Sequence, residues 1–213
     1  MNPAASETRQ RFLWSALFLA LVVLGSVLVW RGFGEQTRVE ERWRNSDLSP
    51  RNSAVGIFGP APEFFLTERS NRKFSKHDLA GRPWIADFIF TSCAGQCPVM
   101  SAHMKRLQTL FPKATGLALV SFTVDPARDK PEVLSEYADR YAAEKDRWFF
   151  LTGPKEEINR ILTGFFLSQV DAPAMHSTRF ILVDGTGRVR GYYDSTEAGS
   201  MDRLIRDAKL LLK

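Results

Sequence analysis

The hydrophobic pattern of the chain changes character once. Residues 12–30 read FLWSALFLALVVLGSVLVW, nineteen positions without a charge. Beyond residue 60, short apolar runs alternate with stretches in which apolar side chains return every three or four positions, the pattern of strands and amphipathic helices in turn. As a helix the first segment would reach roughly 28 Å, about the hydrocarbon thickness of a bilayer. Arg11 and Arg31 bracket it, and Trp14 and Trp30 lie near its ends, where indole rings favour the interface. The run is long for a cleaved leader, and Val29-Trp30-Arg31-Gly32-Phe33 lacks a small-x-small cleavage site. A transmembrane anchor is therefore expected, with residues 1–11 as a short tail, 31–54 as a polar stalk and 55–213 as the folded domain. The bulk of the chain follows the span, which predicts a single-pass protein of the inner (cytoplasmic) membrane whose domain lies on the extracytoplasmic side.

Within the domain, FFLTERSNRKFS predicts a hairpin around Ser70-Asn71, and PWIADFIFT is a continuous apolar strand that delivers the chain to Cys93. Pro98 suits the first turn of a helix whose body is expected over residues 99–111. GLALVSFTVDP is a second buried strand, and Val133, Leu134, Tyr137, Ala138 and Tyr141 stand at helical spacing after it. WFFLTG, a helix over 155–166, a hairpin turning at Asp184-Gly185-Thr186-Gly187, and a last helix over 201–212 complete the pattern. Apolar strands between helices imply a central sheet covered on both faces. The order of elements is that of an α/β, thioredoxin-like domain.

Composition narrows the functions. Charged residues make up 25% of the chain and the net charge is only +5. No Lys/Arg block is interleaved with aromatics, so nucleic acid is not an expected partner.

The chemistry gathers in FTSCAGQCPVM, residues 90–100, which holds the only two cysteines, Cys93 and Cys97. They fall where a strand runs into a helix N-terminus, a place that stabilises a thiolate. Three readings compete. A structural disulfide across so small a loop would remove little chain entropy. A redox couple is chemically sensible in an oxidising compartment. Two thiolates can also grip a soft metal ion, given a third ligand. Three histidines are available. His77 suits a capping or exposed role, and His103 is turned away from Cys97 on the helix. His176, in DAPAMHSTRF, precedes a buried strand in a loop that this topology sets across from the cysteines.

Taken together, FIFTSCAGQCP, SFTVDPARDKPEVLSEYA and MHSTRFILVDGTGRVRGYYD resemble the Sco/SenC family of membrane-anchored copper proteins. The resemblance implies copper, Cu(I) or Cu(II), held by Cys93, Cys97 and His176. It implies a binding and delivery module rather than an enzyme. Its partner would be the subunit of cytochrome c oxidase that carries the dinuclear copper centre, or another copper-requiring exported protein. Thiol-disulfide exchange by the Cys93–Cys97 pair, which can close into a disulfide, is the alternative, as is a redox or copper sensor. Two positions depart from the family: Ala94 stands where Pro is common, and Met175 where Asp is common. Asp125 and Asp129 match its acidic loop, and turn and helix-cap chemistry explain them most simply. Met100 and Met104 are expected to be core residues.

Overall fold

The computed structural model describes residues 55–165 and 178–212. These belong to a compact unit, Asn52–Lys213. The anchor and stalk expected over 12–54 lie outside the described residues, as do Met175 and His176. Among the described residues no helix is long and apolar enough to cross a membrane.

The strands are β1 (Gly59–Pro60), β2 (Phe65–Glu68), β3 (Lys73–Ser75), β4 (Trp84–Ile89), β5 (Ala118–Thr123), β6 (Trp148–Thr152), β7 (Arg179–Val183) and β8 (Arg188–Asp194). They form one sheet in the order β1-β8-β7-β4-β5-β6-β2-β3. The three central strands β4, β5 and β6 are parallel, with Asp87 opposite Ser121 and Phe122 opposite Leu151. Parallel strands need crossovers, supplied by helices α1 (Gln96–Leu110) and α2 (Pro131–Arg140). Helices α3 (Lys155–Gly164) and α4 (Ser200–Leu211) follow β6 and β8. The expected β2–β3 hairpin turns through Asn71, in the left-handed region at φ 67°.

Every residue of β4, β5 and β6 is buried, which is why these stretches read as continuous apolar runs rather than alternating ones. On one face Phe165, just past α3, meets Trp84, Phe88 and Phe122 edge-on or tilted. On the other, Tyr137 of α2 packs on Phe150 and shares a 2.8 Å hydrogen bond with Ser101 of α1. Helices therefore cover both faces, the thioredoxin-like arrangement.

One side chain interrupts the apolar strands. Asp87 is wholly buried in the middle of β4. Its Oδ1 accepts a 2.6 Å hydrogen bond from Ser121, whose oxygen in turn accepts one from the Trp148 indole at 2.9 Å. Its Oδ2 has no hydrogen-bond partner among the described residues. Burial, offset only in part by the bonds from Ser121 and its own backbone, pushes Asp87 up to about 7.

That shift makes stability depend on pH. The folded protein keeps Asp87 neutral where the unfolded chain ionises it, so this contribution is complete below about pH 4 and lost as pH rises through about 7. Three units correspond to at most about 4 kcal/mol. Between pH 4.5 and 8.5, Asp87→Asn should gain about 2 to 4 kcal/mol relative to the parent in urea unfolding. A difference that stays constant with pH would mean that Asp87 titrates normally.

Candidate functional site

Strand β4 ends at Ile89 and α1 begins at Gln96, so residues 90–95 form a short bridge between a buried strand and a helix that packs one face on the core. The helix starts earlier than the pattern predicts, and Cys97 is part of its first turn rather than of the loop before it. That placement makes the two thiols unequal. Cys97 is fully buried, on the side of α1 that carries Met100 and Met104 into the core. Cys93 stays on the bridge, partly open to solvent and packed against the core edge. No disulfide joins them in this structure.

Local hydrogen bonds sharpen the difference. Partial burial acts to raise the Cys93 thiol, but amides of Cys97, Gly95 and Gln96 and the Cys97 thiol together pull it below its ordinary value. The Gly95 N–H lies 3.4 Å from the Cys93 Sγ. These amides are the unsatisfied donors of a helix start, aimed at a sulfur that can become an anion. Cys97 goes the other way. Desolvation pushes it well up, the 3.5 Å bond from the Phe90 N–H offsets little, and Cys93 and the buried Asp87 add to the rise.

The acidic motif serves this bridge in a way the pattern did not predict. Asp125 does build the expected turn, its carbonyl accepting the Arg128 and Asp129 amides at 3.1 and 2.9 Å. Asp129 does not cap α2; Lys130 occupies that position, and Pro131 opens the helix. The Asp129 side chain is instead completely buried, because it turns inward beneath the cysteine bridge. Its carboxyl group accepts from the Thr91 N–H (3.1 Å), the Thr91 hydroxyl (2.5 Å) and the Thr123 hydroxyl (2.5 Å). Thr91 is two residues before Cys93.

Among the histidines, His77 is exposed in a 3₁₀ turn. His103 is half-buried, its ring edge-on to Phe180 at 6.1 Å. Both match their expected bland roles. His176 lies outside the described residues. Strand β7 is antiparallel to β4, with Ile181 opposite Ala86, so Arg179 begins β7 at the end of the sheet where β4 delivers the cysteine bridge. Among the described residues no three His, Cys, Asp or Glu side chains gather as a metal site; the dithiol is the part of the expected ligand set that they contain. Chemically it suits a soft ion, with one accessible sulfur ready to ionise and a second one buried beside it. Sequence reading passed over Asp87 and Asp129 as site elements. Asp87 had a signal, a lone acid inside an apolar strand.

Residues 59–213 match the SCO1/SenC family. The chain is 36% identical over 153 residues to a SCO1 protein homolog of Bacillus subtilis, covering 68% of this chain and 79% of that one. It is 34% identical over 154 residues to a Stutzerimonas stutzeri protein named as copper-binding, covering 68% and 71%. A solved structure of BsSco, described as a Sco-family cytochrome c oxidase assembly protein with a disulfide switch, superimposes with a TM-score of 0.66 at 33% identity, over 76% of this chain and 98% of that one.

The inequality of the thiols is directly measurable. In the reduced protein at pH 7, iodoacetamide should modify Cys93 at least about tenfold faster than Cys97, as mapped by peptide mass. Equal rates would contradict the geometry of the bridge.

Proposed function

This chain belongs to the SCO1/SenC family, and from that membership and its unequal dithiol we propose that it binds copper and hands it on during assembly of a cytochrome c oxidase. The observation that carries the reading is the pair itself, Cys93 open and activated by helix-start amides, Cys97 buried beside it. His176 is the proposed third ligand. Its support is the start of β7, three residues downstream, at the sheet edge that carries the cysteines. Copper here is cargo rather than a resident group. The anchor over 12–30 would hold the domain at the extracytoplasmic face of the inner membrane, where such a recipient is exposed.

The residues divide the work of capture. Cys93, with its lowered thiol, loses its proton first and meets the ion at the surface. Cys97 closes the site from within, and its proton must leave against the cost of burial, which the positive ion offsets. The imidazole of His176 completes a three-donor set suited to Cu(I). Capture therefore releases protons, and affinity rises with pH. Dithiol and disulfide states couple loading to the redox poise of the compartment, since a Cys93–Cys97 disulfide has no thiolate to offer.

Titration of the reduced full-length protein with Cu(I) against a competing chelator tests the reading. One ion should bind per chain. Cys93→Ser or Cys97→Ser should abolish tight binding, and His176→Ala should weaken it by about a hundredfold or more, since even outer-shell changes cost ~10- to 100-fold. Unchanged affinity in His176→Ala would remove that residue from the site. Loss of binding in none of the variants would sink the proposal and leave thiol-disulfide exchange, which has no use for His176, as the function of the pair.

A further inference from the structure

The three hydrogen bonds on Asp129 converge from two different places. Thr123 ends the central strand β5, while Thr91 stands at the foot of the bridge that carries Cys93. The Asp125 carbonyl makes the turn and Lys130 caps α2, so neither the backbone bonds of the turn nor the cap uses the Asp129 carboxyl group. A completely buried carboxyl group with two of its three bonds on one residue fixes both the backbone and the side chain of that residue.

The consequence lies at the sulfurs. Cys97 is held by its helix and the surrounding core, so it has little freedom to move. The two sulfurs are not bonded to each other, and closing a disulfide must draw them to about 2 Å. The movement has to come from the Cys93 limb, whose foot is Thr91. We propose that Asp129 is a positioning residue that pins Thr91, holds Cys93 away from bond formation with Cys97, and so biases the pair toward the dithiol that captures metal. This rests on the reading of Cys93 and Cys97 as the working pair, but the bias exists without copper.

The metal-free, full-length protein, equilibrated in glutathione buffers, gives the test. Two glutathione molecules supply two electrons and two protons; the Cys93–Cys97 bond breaks to two thiols and one glutathione disulfide forms. Maleimide gel shift counts the thiols. Thr91→Val removes the hydroxyl bond while keeping the shape of the side chain, and should shift the equilibrium about three- to tenfold toward the protein disulfide. Asp129→Asn should shift it at least as far. Thr123→Val removes the third bond to the same carboxyl group without touching the cysteine limb. It should lower the melting temperature yet leave the equilibrium within about twofold, a limit set by the smallest hydrogen-bond effect. No shift in Thr91→Val, or an equal shift in Thr123→Val, would overturn the assignment, and the threonine pair decides it even if Asp129→Asn does not fold. Because no copper is present, failure of the copper reading would leave this result intact, and the reverse also holds.

Discussion

Helix α1 starts one residue before Cys97 and buries it, and the rest of the site follows from that constraint. A thiol built into the first turn of a core helix is fixed in position and costly to ionise. Its neighbour four residues earlier has the opposite situation, on an exposed bridge among amides that the helix start leaves unpaired. One sulfur is therefore available to an incoming partner and the other is a backstop. Both capture of a soft ion and disulfide exchange begin with an accessible, activated sulfur and finish with a second one close by, so the same asymmetry serves either chemistry.

Beneath the pair the protein places two buried acids with different surroundings. Asp129 is surrounded by donors, and its three hydrogen bonds leave a rigid connection between β5 and the cysteine bridge. Asp87 has a single side-chain donor, Ser121, on Oδ1, so its second oxygen stands in an apolar core without a partner among the described residues. An unpartnered buried carboxyl costs stability when charged. It also raises the thiol of Cys97 electrostatically. The two acids thus differ in what they do near the pair: Asp129 organises the backbone that carries Cys93, while Asp87 adds a small electrostatic contribution to the burial that raises the Cys97 thiol.

The sequence alone determined the fold, because burial on both faces leaves continuous apolar strands, and helical periodicity survives in the crossovers between them. It also determined the dithiol and the family resemblance, since spacing within one short motif is a property of the chain and not of its folding. Which of the two thiols is buried, and what Asp129 does, depended on the assembled fold. Local rules made Asp129 a helix cap, because a cap is judged from the residues next to it. Its actual partners, Thr91 and Thr123, are 38 and 6 residues away, and they meet it only once β4 and β5 lie side by side in parallel. A hydrogen bond across that distance leaves no period and no spacing in the sequence, so it becomes visible only when the sheet is assembled.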